Sequence, residues 1–138
     1  MRAAPRARRR RPLLALLGVA LVLACRGEGE VLELADGEPG DGRCELVVVD
    51  ASAGLTVARV LTSDWETGSC YELTLTNTGA ARAAWWVHLA TDAAVVDRWN
   101  HAATDLGGGL LEWRGITMSN NIELDPQGTT VVGTCLEC

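Results

Sequence analysis

The strongest constraint on this chain lies at residues 70–76, Cys-Tyr-Glu-Leu-Thr-Leu-Thr, where apolar and polar side chains alternate without a break. Tyr71, Leu73 and Leu75 fall on one side, and Glu72, Thr74 and Thr76 on the other. That is the period of a half-buried β-strand and does not suit a helix. Turn chemistry flanks it. Trp65-Glu66-Thr67-Gly68 precedes it and Asn77-Thr78-Gly79 follows, Asn and Gly being residues that tolerate the backbone of a tight connection. A strand with one apolar face must be covered by other elements, so the rest of the chain has to supply them.

It does so with short strands. Residues 44–50, 55–62, 85–90, 95–100, 110–114, 122–124 and 129–135 are each rich in Val, Leu, Ile, Thr or Trp and are separated by Gly, Asn and Pro. Along 85–90 the more apolar set, Trp85, Val87 and Leu89, should face the core, leaving Trp86 and His88 outside. Leu111 and Trp113 share a face of 110–114. No segment after residue 24 shows a 3.6-residue period. About eight short strands at roughly ten-residue spacing predict an all-β fold, a two-sheet antiparallel β-sandwich of immunoglobulin-like or jelly-roll-like kind.

The N-terminus reads as export apparatus. Arg2, Arg6 and Arg8 to Arg11 form a basic region, followed by an apolar run from Leu13 to Ala24 that is too short to span a bilayer. It ends Val22-Leu23-Ala24-Cys25, which resembles a bacterial lipoprotein signal with Cys25 as the lipidated first residue of the mature chain. An ordinary signal peptide cut near Ala24 is the alternative. Residues 1–24 are thus expected to be a signal peptide, and residues 25–43, rich in Gly and acids, a tether. The domain occupies 44–138. The chain is expected on the cell surface or in the periplasm, held to a membrane through Cys25, or otherwise secreted.

Six of the twelve basic residues precede Cys25 and none of the eighteen acids does, so residues 25–138 carry a formal charge of about −12. Such a surface excludes nucleic acid as a partner, because nucleic acid needs a positive footprint. Setting Cys25 aside leaves Cys44, Cys70, Cys135 and Cys138. In a small exported domain an even number of cysteines favours two structural disulfides, in any of three pairings. Cys135-Leu136-Glu137-Cys138 also has the C-x-x-C spacing of zinc and redox sites. A zinc site would want a second close pair or nearby His, and a redox motif a helix behind its first cysteine. Neither is present, and no metal or other cofactor is expected.

The chain has five Trp, one Tyr and no Phe. A core packed for volume alone would normally draw on Phe, so some of these rings are candidates for their flat, amphipathic faces. Trp65-Glu66-Thr67-Gly68, Leu73 to Gly79, Trp85, Trp99-Asn100 and Leu124-Asp125-Pro126-Gln127-Gly128-Thr129 together resemble the family-2 carbohydrate-binding module of bacterial cellulases and xylanases, over about residues 55–133. That resemblance implies an antiparallel β-sandwich with a strip of surface tryptophans. Trp65 and Trp99 match the first two platform positions. The third falls on Asn120-Asn121, so that ring is missing. Trp85 matches the buried core tryptophan, and Trp113 falls on an inward position. Family members usually open and close with paired cysteines. Here Cys44 lies on an additional strand before the family's first, and the resemblance suggests that this segment replaces a missing terminal strand, with Cys44 bonded to Cys135 or Cys138.

No nucleophile motif, phosphate loop or paired-carboxylate cleft is legible, so an enzyme is not expected. The expectation is non-catalytic binding of cellulose or a related β-glucan, with chitin and xylan as alternatives, beside a separate glycoside hydrolase. Trp65 and Trp99 would carry it, with lesser parts for Trp86, Asn100 and Asn120. The alternative is a structural or protein-interaction lipoprotein of the same fold that has lost sugar binding. No particular protein partner can be named from the sequence.

Overall fold

The computed structural model describes the backbone of residues 30–32 and the whole of residues 42–138. The signal peptide, Cys25 and most of the tether lie outside the described residues. Among the described residues no helix is long and apolar enough to cross a membrane.

The fold is a two-sheet β-sandwich. In chain order the strands are β1 (Glu30–Leu32), β2 (Val47–Ala51), β3 (Leu55–Trp65), β4 (Gly68–Asn77), β5 (Ala83–Ala84), β6 (Trp86–Ala90), β7 (Ala94–Trp99), β8 (Ala102–Gly107), β9 (Leu110–Arg114), β10 (Glu123–Leu124) and β11 (Thr129–Glu137), with a 3₁₀ turn at Thr117–Ser119. One sheet runs β1-β3-β4-β11-β7, the other β2-β6-β9-β8, and β10 and β5 form a two-stranded ribbon. Every pairing is antiparallel except β1 with β3.

The alternation in β4 becomes the centre of the larger sheet. Tyr71, Leu73 and Leu75 are buried and pack with Val57, Val132 and Leu136 against Leu46, Ala51, Val87, Leu89 and Trp113 of the other half. Trp85 and Trp113 are core residues, as expected. The buried Trp85 indole is satisfied by donating from Nε1 to the Asn121 carbonyl at 2.6 Å.

Three elements differ from the sequence reading. Ala102–Gly107 is a strand that was not anticipated. It is the edge of the smaller sheet, with five of its six residues exposed, so it carries no apolar alternation to read. Three residues of the expected tether, Glu30–Leu32, pair in parallel with Thr56–Ala58 of β3. The strand expected to begin at Cys44 begins at Val47, and β2 joins the edge of the smaller sheet beside β6.

Cys44 bonds to Cys138 and Cys70 to Cys135. The C-x-x-C is therefore divided between two bridges, and its cysteines are neither a metal pair nor a redox pair in this fold. The first bridge ties the segment before β2 to the end of β11. It is reinforced where the Tyr71 hydroxyl donates to the Cys44 carbonyl at 2.6 Å and the Cys44 N–H donates to Ser69 Oγ at 3.1 Å. The second joins residues directly opposite on β4 and β11. Two such bridges suit an oxidising, extracytoplasmic compartment.

Candidate functional site

The register fixes which side chains stand on the outer face of the larger sheet. Because Tyr71, Leu73 and Leu75 point inward, Cys70, Glu72 and Thr74 point out, and so do the residues opposite them on β3 and β11.

Trp65 lies opposite Gly68 across the β3–β4 hairpin. A Cβ added to Gly68 would fall on the Trp65 indole at Cζ2 and Cε2, so the ring lies over the glycine. Trp99 lies opposite Gly133 of β11. A Cβ added to Gly133 would likewise fall on the Trp99 ring, at Cζ2, Cε2 and Cη2. Each indole thus rests on a bare stretch of the next strand. Trp65 keeps 41% of its surface exposed, and Trp99 is half-buried.

The two rings share one face. Gly68 pairs with Glu137, and Gly133 with Glu72. The glycines therefore stand four residues apart along the β4–β11 ladder, about 13 Å at roughly 3.3 Å per residue. Midway between these rungs, on the same face, lies the Cys70–Cys135 bridge. Val60, opposite Glu72, and Val131, opposite Thr74, add exposed apolar surface beside the rings. The carboxylates of Glu72 and Glu137 stand on the same rungs.

The Trp65 hairpin is braced from below. Asp64 Oδ1 accepts from the Arg43 N–H and from Ser69 Oγ, each at 2.7 Å. These two bonds, the backbone one first, hold the Asp64 carboxyl below its ordinary range. The Cys138 N–H donates to the Thr67 carbonyl at 3.0 Å.

Trp99 is braced by the turn that follows it. Asn100 takes a left-handed backbone, φ 63°. Its amide is committed to protein partners, Nδ2 donating to the Val131 carbonyl at 3.0 Å and Oδ1 accepting from Ser119 Oγ at 3.0 Å. The next residue, His101, is only 5% exposed and stacks on Trp113, with centroids 3.9 Å apart and planes 21° from parallel. Its Nδ1 pairs with the Trp99 carbonyl at 2.9 Å. Burial is the main cause that pushes its pKa down, to about 4, so it stays neutral under ordinary conditions. Trp113 is legible as an inward ring, but nothing in the sequence signals its stack with His101, which lies in no motif.

The remaining expected residues lie elsewhere. Asn120 is exposed, left-handed at φ 49°, on the 3₁₀ turn. Its neighbour Asn121 is buried and structural, its Nδ2 donating to the Asn100 carbonyl at 2.7 Å. Trp86 points outward as expected, but from β6 of the smaller sheet. It therefore stands on the opposite face of the sandwich from Trp65 and Trp99 and cannot extend their strip. A cleft of about 740 Å³ opens near the β6–β7 connection and the β8–β9 turn, lined by Glu45, Asp92, Asp105, Val95 and Leu111, and no tryptophan lines it.

No known protein family matches the sequence, and no curated protein sequence does. Five chains of solved structure match the fold. Chitinase ChiA74 from Bacillus thuringiensis aligns with a TM-score of 0.51 at 15% identity, over 59% of this chain and 13% of that one. A GH20 exo-β-N-acetylglucosaminidase from Vibrio harveyi, solved as an inactive mutant and in complex with N-acetylglucosamine, aligns with a TM-score of 0.52 at 16% identity, over 62% of this chain and 13% of that one. The likeness is one of fold and covers a small part of each enzyme.

Proposed function

We propose that the chain is a non-catalytic module that binds an insoluble polysaccharide through Trp65 and Trp99. The observation that carries this reading is the seating of both indoles over glycines on one outer sheet face. Flat rings held against backbone offer broad apolar surfaces to the C–H faces of sugar rings, and they are already ordered, so less freedom is lost on binding. The fold likeness to a chitinase and to an N-acetylglucosaminidase supports a carbohydrate ligand and moves chitin ahead of cellulose and xylan. Lipidation at Cys25 would hold the module at a membrane surface, beside a separate glycoside hydrolase.

The test is depletion of the full chain from solution by chitin, microcrystalline cellulose and xylan, with wild type, Trp65→Ala and Trp99→Ala. At least one polymer is expected to retain the wild type, with each substitution weakening retention about tenfold or more. Equal retention of all three proteins, or of none, would instead favour a protein-interaction role for the Val60–Val131 face.

A further inference from the structure

The outer face of the smaller sheet carries a second side-chain constellation, independent of the Trp65–Trp99 reading. β6 puts Trp86 and His88 outward, and β9 puts Glu112 and Arg114 outward beside them. The register sets Trp86 against Arg114 and His88 against Glu112. β8 adds Ala102 next to Arg114 and Thr104 next to Glu112, and β2 adds Asp50 next to His88.

The groups are held in place. Glu112 Oε1 accepts from Arg114 Nε at 2.6 Å, and Oε2 accepts from Arg114 Nη2 at 3.0 Å. Glu112 Oε2 also faces His88 Nε2 at 3.2 Å. The His88 ring lies against Trp86, with centroids 4.4 Å apart and planes tilted by 32°. The Arg114 hydrogen bonds lower the Glu112 pKa, and the Glu112 hydrogen bonds raise that of Arg114, so both stay charged. None of the four belongs to the hydrophobic core. A bidentate guanidinium–carboxylate pair limits rotamer freedom before any ligand arrives.

We propose that this face is a second glycan site, for a soluble, neutral hexopyranose chain. The indole supplies a stacking face. Beside it, the Arg114–Glu112 pair presents a donor next to an acceptor, the complement of two neighbouring sugar hydroxyls, each of which both donates and accepts. Asp50 and Glu112 outnumber Arg114 in charge, and the acidic chain around them disfavours uronate or phosphate ligands. Arg114 lies opposite Trp86 across the β6–β9 ladder and keeps 53% of its side chain exposed, so a sugar chain that stacks on the indole runs beside the guanidinium. Ala102 and Thr104 leave the β8 side low.

The test titrates the full chain with chitohexaose and with cellohexaose, following indole N–H signals by NMR. The Trp86 signal is expected to shift with at least one probe, and to shift equally in the Trp65→Ala/Trp99→Ala double variant. Apparent affinity, read by titration calorimetry in the Trp65→Ala/Trp99→Ala background, is expected to fall tenfold or more on adding Trp86→Ala or Arg114→Ala. Ala102→Trp, which covers the face without removing a contacting group, should do the same and decides the matter if Trp86→Ala does not fold. The proposal is overturned if neither probe moves the Trp86 signal, if shifts vanish in the double variant, or if Ala102→Trp binds like wild type. Loss of polymer retention in the double variant, with oligosaccharide binding kept, would separate the two faces.

Discussion

Leu61 and Trp65 are four residues apart on one strand and point to opposite faces of the sheet. Leu61 stands opposite the buried Tyr71 and packs on the core, whereas Trp65 stands opposite Gly68 on the outer face. Strict alternation would put both on the same side. The register shifts between Leu61 and Ser63, so Thr62 is an extra residue that resets the phase. The bulge absorbs Thr62 as an unpaired residue, so that Trp65 keeps its outward place opposite Gly68.

A chain lacking Thr62 is therefore expected to keep every cross-strand pair, because Leu61 and Ser63 would then follow one another in a regular ladder. Trp65 should stay outward and polysaccharide retention should persist. The stability cost should be no more than about 2 kcal/mol, from lost twist and the lost Thr62 Oγ1 bond to the Cys70 carbonyl. Urea unfolding and the retention assay check this. A chain that folds but loses both Trp65 exposure and retention would contradict the role assigned to the bulge.

How far the sequence could be read follows from such details. The inward set Tyr71, Leu73 and Leu75 was legible because β4 alternates without interruption and is central to its sheet. Ala102–Gly107 was not, because an edge strand with two wet faces needs no pattern. The outward position of Trp65 could be inferred only from its polar neighbours and the family resemblance, since the alternation of β3 taken alone places it inside. The glycine seats were not legible at all. Gly68 reads as a turn residue and Gly133 has no role of its own in the strand at 129–135, and only cross-strand register shows that each lies under a ring. The opposite placements of Trp86 and Trp99 are likewise a property of sheet order, which eight short strands do not specify.

Gly133→Ala tests the seat directly. Its new Cβ would occupy the space of the Trp99 ring, which must lift or turn away. Trp99 lies on an outer face, so the fold should lose only about 1–2 kcal/mol. Polymer retention should fall as far as in Trp99→Ala. Thermal melts paired with the retention assay check this. Unchanged retention would show that the seated pose is not the binding pose.

The two disulfides should separate stability from binding. Cys44 and Cys138 are 94 residues apart in sequence, and Cys70 and Cys135 are 65 apart. In the chain-entropy model each contributes about 4–5 kcal/mol by restricting the unfolded chain, with about 2–4 typical in practice. Paired Ser substitutions at either bridge should thus cost similar stability in urea. Only Cys70 and Cys135 clamp the two strands that carry Gly68 and Gly133. At temperatures where both variants are folded, polymer retention should weaken more in the Cys70→Ser/Cys135→Ser protein than in the Cys44→Ser/Cys138→Ser protein.

His101 should make the fold sensitive to mild acid. Its pKa is about 4 in the folded chain against an ordinary 6.5, mainly because burial disfavours the imidazolium and, to a lesser degree, because Arg98 is near. Above pH 6.5 both states are neutral at this residue and stability is unaffected. As pH falls from 6.5 towards 4, the unfolded chain takes up a proton that the folded chain refuses. Stability then declines, by about 3 kcal/mol at most, and the contribution levels off below 4. The lowered pKa values of Asp64 and Glu112 act further down, because their stabilisation is lost only as those carboxylates protonate, below the ordinary carboxylate range. Urea midpoints at pH 7.5 and pH 4.5 should therefore differ in wild type, and the difference should shrink in His101→Gln, which cannot charge. An equal pH dependence in the two proteins would remove His101 as its source. The Nδ1–H bond to the Trp99 carbonyl survives protonation, which falls on Nε2 and makes Nδ1–H a stronger donor, so the Trp99 end of the strip should hold while the chain is folded and polymer retention should fall only in step with the folded fraction.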